Sequence, residues 1–272
     1  MLQKLDGLLA NTGDLCLKRR AKLMVSELNP QTSDTILDVG CGDGFYLFLL
    51  SRLGKFHLVG IDNNPESIKA AKLLVADKNV RFITGDVTKY GLKEASFNKI
   101  ICSEVIEHLD SDVEGLKVLY RLLKKGGSLY ITVPHLNYPF FWDPVNWILQ
   151  HAFGTHIKSG LWAGIWNMHD RLYTMDQLVS VVKKAGFRVS KKQYLTHYSL
   201  PFNHIILYIG FRMRTSPQLS RSLKNSMSKF KPSQKKSWFS YILSFINWLD
   251  KRNDRTIGPN ESSVGLYLEA KK

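Results

Sequence analysis

The chain has 272 residues, of which 44% are hydrophobic and 22% are charged, as in ordinary folded proteins and unlike disordered ones. At roughly 150 residues per domain, this length predicts one or two domains. The sequence has no long run of purely apolar residues and no secretory signal pattern, so we expect no membrane-spanning helix. Its three cysteines form neither a disulfide framework nor a zinc-binding pattern, which predicts a cytoplasmic protein.

An excess of basic residues is the unusual feature of the composition. The chain has 38 lysines and arginines against 23 acidic residues, a net charge of +15. Residues 212–258 hold eleven basic and two acidic side chains, so this segment alone carries 11 − 2 = +9. Concentrated positive charge predicts a polyanionic neighbour, of which nucleic acid, an anionic membrane surface and an acidic substrate are the three classes to be separated.

Residues 1–34 form a predicted N-terminal helical segment, with leucines at helical spacing up to the break at Asn29-Pro30. Short apolar runs of β type then alternate with helical patterns, which is typical of a parallel sheet covered by helices on both faces. The first five predicted strands are residues 35–40, 57–62, 80–86, 97–104 and 128–134. The helices predicted between them are residues 45–53, 65–76 and 113–123.

The regular alternation stops at Pro134. We interpret residues 134–170, with their eight aromatic side chains, as a substrate lid. A helix over 174–186 and a sixth strand over 187–198 then complete a core of residues 35–199. Residues 200–262 form a basic insertion, and residues 263–272 form the seventh strand. Within the insertion, residues 237–250 have one aromatic and aliphatic face between lysines and arginines, which suits a helix lying on an anionic membrane, or else one packed on protein.

A glycine-rich turn, Gly40-Cys41-Gly42-Asp43-Gly44, joins the first strand to the first core helix. Glycines let a ligand approach the backbone, and the start of a helix offers free N–H groups. The second strand ends at Asp62, where a carboxylate can accept both hydroxyls of a ribose. Dinucleotide sites usually read Gly-x-Gly-x-x-Gly, and Asp38 beside this turn would repel a pyrophosphate but support an ammonium group. The pattern therefore predicts a nucleoside ligand with an ammonium group and no phosphate.

The run ILDVGCGDG resembles motif I of the class I S-adenosylmethionine-dependent methyltransferases. The resemblance continues in order through VGIDNNPESIKAAK, FITGDV, FNKIICSEVIEHL, LLKKGGSLYITVP and HDRLYTMDQLVSVVKKAGF, and covers residues 35–198. In motif style the ubiquinone-pathway O-methyltransferases come closest. The resemblance implies a Rossmann-like α/β fold whose seven-stranded, mostly parallel sheet has the order 3-2-1-4-5-7-6, with the seventh strand antiparallel.

The same resemblance implies S-adenosylmethionine as the cofactor and assigns residues to each part of it. Asp38 and the turn formed by Gly40, Cys41, Gly42 and Gly44 would line the methionine end, with Ser103 beside it. Asp62 and Asn63 would hold the ribose. Asp86 would bond the adenine amino group and Val87 would cover the ring.

Catalytic groups are predicted at Glu104, Glu107 and His108, directly after the fourth strand, with His169 and His135 added from the lid segment. A hydroxyl nucleophile needs a general base or a metal ion to lose its proton. The pattern Glu-x-x-Glu-His with a later His resembles the metal set of the small-RNA 2′-O-methyltransferases and is similar to the ubiquinone-pathway enzymes. The same run recurs in family members with unrelated substrates, where the histidine shapes a loop, so a divalent metal is not favoured and no metal ligand is assigned.

The aromatic side chains of the lid predict an apolar acceptor pocket. Lys158 is the only lysine or arginine between His135 and Asp170, which disfavours a nucleic acid substrate. We therefore expect an O-methyltransferase that acts on an amphipathic or lipid-linked small molecule, in the cytoplasm and in peripheral contact with an anionic membrane. A metal-dependent RNA 2′-O-methyltransferase and a non-catalytic cofactor-binding interaction domain are the two alternatives.

Overall fold

The computed structural model describes residues 1–10, 12–167, 169–198, 205, 244–245, 248–255, 257–258 and 261–272. Fourteen helices and strands in this part of the chain are used below. The helices are α1 (Leu2–Leu8), α2 (Leu15–Leu28), α3 (Phe45–Leu53), α4 (Pro65–Leu74), α5 (Asp112–Leu122), α6 (Pro144–Phe153) and α7 (Met175–Lys184). The strands are β1 (Thr35–Val39), β2 (His57–Asp62), β3 (Val80–Thr84), β4 (Phe97–Ser103), β5 (Leu123–Pro134), β6 (Arg188–Leu195) and β7 (Gly265–Lys271).

The seven strands form one sheet in the order β3-β2-β1-β4-β5-β7-β6. The pairs among β1 to β5 are parallel, whereas β7 pairs antiparallel with both β5 and β6. This confirms the predicted mixed α/β fold and strand order. Because all of β1 to β4 run in the same direction, the residues that follow them meet at one edge of the sheet, where ligands bind in folds of this kind.

Both faces of the sheet are covered, which explains why the strands read as continuous apolar runs. Successive residues of β4 alternate between the faces: Ile100 and Cys102 pack with α5 and α7, while Ile101 packs with the side that carries α2 and α3. Polar side chains set the helix starts. Asn64 accepts hydrogen bonds at the start of α4, and Thr174 forms a capping box at the start of α7.

Two features refine the expectations. The predicted N-terminal helical segment contains two helices, and Asp14 caps the second of them by accepting a hydrogen bond from the Leu17 N–H at 3.1 Å. The strand over 128–134 begins earlier, at Leu123, where the chain already pairs with Phe97 of β4.

Most of the basic insertion, including nine of the fourteen residues 237–250, where a helix was predicted, lies outside the described residues. The residues just before the insertion contact Asn253 in its last part. Asn253 accepts hydrogen bonds from the His197 and Tyr198 N–H groups at 2.9 and 2.7 Å, and its amide donates to the Tyr198 carbonyl at 2.8 Å. In the part of the chain that the structure covers, no helix is both long and apolar enough to cross a bilayer.

Candidate active site

A cleft of about 970 Å³ opens at the edge of the sheet where β1 to β4 end. This volume is at the upper end of the range of small-molecule and cofactor sites. Its wall takes Gly40 from the turn after β1, Asp62 from the end of β2, Asp86 from the loop after β3 and Glu104 from the loop after β4. The cleft is also lined by Asn63, Val87, Val105, His108 and His169.

The glycine turn and the end of β2 are tied together by hydrogen bonds. The Gly40 N–H donates to the Ile61 carbonyl at 2.8 Å, and the Gly42 N–H donates to Asp62 Oδ2 at 2.8 Å. Asp62 Oδ1 accepts from the Asn64 N–H at 2.9 Å. A carboxylate offers about four lone-pair positions, so Asp62 keeps acceptor capacity toward the cleft while it holds the turn.

Gly40 is required by space as well as by conformation. Its φ is 64°, and an added Cβ would lie 2.5 Å from Val105 Cγ2. Gly42 has a similar φ of 51°, but nothing lies within 4 Å of the Cβ position. Val105 follows Glu104, so Gly40 allows the loop after β4 to approach the turn after β1.

Asp38 is a buried acid with an unmet hydrogen bond. Its side chain is 1% exposed, and Oδ2 has no hydrogen-bond partner among the described residues. Burial raises the pKa of Asp38 well above its usual range, and the nearby carboxylates of Asp62 and Asp43 raise it further. A buried acidic group without a partner is costly unless a ligand completes it, and an ammonium group would do so.

Two members of the predicted cofactor set point into the protein. Cys41 is buried, and its Sγ lies close to the backbone of Gly60 in β2. Burial, followed by the nearby Asp38, raises the pKa of its thiol. Gly44 starts α3 and packs against α4, where an added Cβ would lie 3.1 Å from Ala71 Cβ. Both residues shape the turn from behind.

The loop after β3 places Asp86, half-exposed, and Val87, buried, on the cleft wall. Asp86 Oδ1 accepts hydrogen bonds from the N–H and hydroxyl of Thr88 at 2.8 and 2.7 Å, and the Thr88 hydroxyl is the main cause that lowers the pKa of Asp86. At the end of β4, the Ser103 hydroxyl lies 3.1 Å from the Tyr46 hydroxyl and 2.8 Å from Thr132 Oγ1.

Glu107, His108 and His169 meet at the opposite wall, and their metal-ligating atoms all lie within 4.8 Å of one another. Glu107 Oε1 is 4.0 Å from His108 Nε2 and 3.8 Å from His169 Nε2. The two imidazole rings stack with their centroids 5.3 Å apart. His169 Nδ1 lies 2.5 Å from the Ile165 carbonyl, to which its N–H donates, so Nε2 of the neutral ring carries the lone pair that faces the cluster.

The carboxyl group of Glu107 is fully buried, and neither of its oxygens has a hydrogen-bond partner in the described part of the chain. Burial raises the pKa of Glu107 well above its usual range, and the carboxylate of Glu104 adds to this effect. Burial, followed by the neighbouring His169, lowers the pKa of His108, which is therefore neutral at pH 7. An acidic group and two imidazoles at this separation can bind a cation or accept a proton.

Glu104 lines the same cleft, but its carboxylate is bound by an arginine of α2. Its Oε2 forms an ion pair with Arg20 Nη1 of α2 at 2.8 Å. Its backbone has a φ of 56°, in the left-handed region, and its N–H donates to the Thr132 carbonyl at 2.9 Å. Three residues near the site were not predicted from the sequence: Arg20, Tyr46 and Thr132. Each is a single basic or hydroxyl residue on a distant element, and no motif or spacing in the sequence distinguishes it from other residues of its type.

His135 and the lid aromatics are not brought to the cleft. His135 is 4% exposed, pairs through Nδ1 with the Ser263 hydroxyl at 3.0 Å, and has a pKa lowered by burial to about 4. The lid instead forms its own small core, and the expectation that its aromatics wall the cleft is wrong for the described residues, since Asn167 and His169 are its lining members. The buried members of that core are Tyr138, Trp142, Ile165, Trp166 and Leu172.

Residues 37–131 match a family model described as "Methyltransferase domain". An uncharacterized methyltransferase of Bacillus subtilis, YdaC, is 33% identical over 110 residues, which are 40% of this chain and 61% of that protein. The mitochondrial ubiquinone biosynthesis O-methyltransferase of Rattus norvegicus is 37% identical over 166 residues, or 59% of this chain and 46% of that protein. The chain thus spans about half to three fifths of these two relatives.

Solved structures with the same fold cover more of the chain. Haemonchus contortus phosphoethanolamine N-methyltransferase 2, in complex with S-adenosyl-L-methionine, superposes with a TM-score of 0.58 at 17% identity and covers 93% of this chain and 52% of that one. An S-adenosylmethionine-dependent methyltransferase from Mesorhizobium loti gives 0.53 at 13% identity and covers 93% and 98%. At these identities the likeness concerns the fold.

Proposed function

We propose that this chain, whose residues 37–131 match a methyltransferase domain, is a class I S-adenosylmethionine-dependent methyltransferase that transfers the methyl group to an oxygen of an amphipathic or lipid-linked small molecule. One observation carries the proposal. Asp62 and Asp86 line the cleft at the ends of neighbouring strands, and the buried Asp38, with its unpartnered oxygen, lies behind the glycine turn of the same cleft.

These residues fit S-adenosylmethionine part by part. Asp38 supplies the negative charge for the ammonium group, and Gly42, whose Cβ position has nothing within 4 Å among the described residues, allows the methionine end to approach the backbone. Asp62 keeps two acceptor positions for the ribose hydroxyls after binding the turn. Asp86 and Val87 line the part of the cleft assigned to adenine. When bound, the donor supplies an activated methyl group, and the protein has to orient it toward the acceptor and keep water away.

The acceptor oxygen needs a group that takes its proton. His108 is partly exposed on the cleft wall and neutral at pH 7, so its imidazole can accept a proton directly. Glu107, beside it, would then stabilise the resulting imidazolium. His169, whose orientation is fixed by its hydrogen bond to the Ile165 carbonyl, packs beside His108 and Glu107 in the same cluster.

The same residues also fit a divalent cation. Glu107 offers two buried oxygens without partners, and His108 and His169 offer two imidazole nitrogens. One carboxylate with two imidazoles is a ligand set used by catalytic zinc and by other transition metals, in which the remaining positions stay open. A cation held there would polarise the acceptor oxygen. This set supports metal assistance more strongly than the sequence pattern did.

The class of acceptor is supported by exposed apolar side chains of the lid segment and the insertion. Phe140, Phe141 and Trp162 of the lid segment are exposed by 39, 62 and 48%. At the end of the insertion, Trp248 is 53% exposed and stacks under the Arg252 guanidinium at 3.9 Å. Exposed aromatic and basic side chains suit an anionic membrane surface, from which a lipid-linked acceptor would be taken.

The proposal is tested by incubating the protein with radiolabelled methyl donor and three acceptor pools: lipid extract, RNA and soluble metabolites. Label is expected in the lipid fraction, and an Asp62→Ala variant should lose it. Label in RNA alone would support the metal-dependent 2′-O-methyltransferase instead. A protein that gives no calorimetric heat with the donor would leave only the non-catalytic alternative or a different cofactor.

Membrane contact is tested separately with vesicles of phosphatidylglycerol and phosphatidylcholine. The chain should pellet with the anionic vesicles at low salt and be released at high salt, because each basic residue near such a surface contributes about 1 kcal/mol that salt screens. Pelleting that is independent of both lipid charge and salt would contradict the electrostatic part of the proposal.

A further inference from the structure

Arg19 and Arg20 are successive residues of α2 and bind different parts of the protein. Arg20 pairs with Glu104 at the cleft, as described above, and its Nε is buried without a hydrogen-bond partner among the described residues. Arg19 binds the short 3-10 helix Lys251–Asp254 and the residue before it through four hydrogen bonds of 2.7 to 2.9 Å, two of them to carboxylates. These contacts tie α2 to the end of the insertion at this turn.

The ion pair sets the number of ligands in the neighbouring cluster. Glu104, His108 and His169 line the cleft, but among the described residues the group whose ligand atoms lie within 4.8 Å of one another consists of Glu107, His108 and His169. The Glu104 carboxylate is spatially close enough to raise the pKa of Glu107, yet one of its oxygens is bound to Arg20. Without that bond, Glu104 offers a further carboxylate on the loop that carries Glu107 and His108.

We propose that Arg20 is a positioning residue that withholds Glu104 from a cation bound by Glu107, His108 and His169. The inference rests on the metal-assisted form of the proposed function. Three protein ligands leave coordination positions open for an acceptor oxygen, whereas a fourth protein ligand would fill one of them. The positive φ of Glu104, which its hydrogen bond to the Thr132 carbonyl supports, directs its side chain toward α2.

The test measures cation binding and not turnover. Co²⁺ is titrated into the full-length protein, and its visible absorption reports affinity and ligand number. Arg20→Met frees Glu104, so it should bind Co²⁺ about fivefold more tightly or better, with a spectrum changed by the added ligand. Arg20→Lys keeps a cation opposite Glu104 and should behave as the original protein does. Lys22→Met removes a charge from the same helix, where Lys22 pairs with Asp6, and should change nothing.

A double-mutant cycle separates ligation from simple loss of a nearby positive charge. If Glu104 becomes a ligand, the gain from Arg20→Met should vanish when Glu104→Gln is already present. An equal gain in both backgrounds, or no gain at all, overturns the inference. Arg20→Gln serves as the second variant if Arg20→Met does not fold, as judged by circular dichroism.

Calorimetry with S-adenosylmethionine distinguishes this inference from the proposed function. Variants that bind the donor but never bind Co²⁺ overturn the role of Arg20 and leave methyl transfer standing. Loss of donor binding in the unmodified protein overturns the proposed function itself.

Discussion

Asp38→Asn is expected to stabilise the ligand-free protein and to weaken donor binding. The side chain is buried at 1% exposure and its Oδ2 has no partner among the described residues. Asparagine keeps the size and shape of the group but cannot ionise. The variant therefore removes a buried ionisable group from the free protein, and it also removes the carboxylate charge that the donor's ammonium group would meet.

The effect on stability has a defined pH dependence. Burial, with the nearby Asp62 and Asp43, raises the pKa of Asp38, so the native protein keeps a proton that the unfolded chain has already lost. Native stability is therefore penalised progressively as the pH rises from about 4, the usual aspartate value, through the raised native pKa. Asparagine has no such penalty. At pH 8 the free energy of unfolding of the variant should exceed that of the original protein by about 1–3 kcal/mol, and near pH 4 the two should differ little. Each kcal/mol corresponds to a rise in Tm of roughly 2–4 °C.

The loss in affinity follows from the same charge. A hydrogen bond to a charged group is worth about 1.5–3 kcal/mol, so donor binding should weaken roughly 10- to 150-fold. Thermal unfolding from pH 4 to pH 8 and calorimetric titration of the donor measure the two effects. Asp77→Asn is the matched control, because Asp77 only accepts a hydrogen bond from the Asn79 N–H, which asparagine can also do. A stability gain that does not change with pH, or undiminished donor affinity, would refute the reasoning.

Three further changes probe the scaffold by urea denaturation. Gly40→Ala should lower the free energy of unfolding by about 2–5 kcal/mol, because the positive φ and the contact with Val105 both oppose an added Cβ. Gly42→Ala should lower it by only about 1–2 kcal/mol, because only the positive φ opposes the Cβ there. Equal losses would contradict this account. Thr174→Ala removes the capping box of α7 and should cost about 1 kcal/mol, so an unchanged midpoint would speak against the cap. Asn253→Ala leaves two backbone N–H groups without their acceptor and should cost about 3 kcal/mol; a loss below about 1 kcal/mol would show that the contact between the residues before the insertion and its last part does not depend on it.

Much of the core was predictable because its signals are local. Burial on both faces makes each parallel strand a short apolar run, and the glycine turn and Asp62 are recognisable from spacing alone. The parallel direction of β1 to β4 then brings the residues at their ends to one edge, so Asp62, Asp86 and Glu104 line one cleft as expected. The antiparallel seventh strand followed from the resemblance, not from periodicity.

Only the tertiary structure decided the contacts between distant parts of the chain. Periodicity shows that a side chain is apolar or charged but not which partner it meets, so the lid aromatics were expected at the cleft, whereas Tyr138, Trp142 and Trp166 pack in a separate small core. The same limit hid the pairing of Arg20 with Glu104. His135 and His169 were equal candidates by sequence, yet packing buries the first against Ser263 and places the second beside Glu107, because side-chain position depends on how the elements dock.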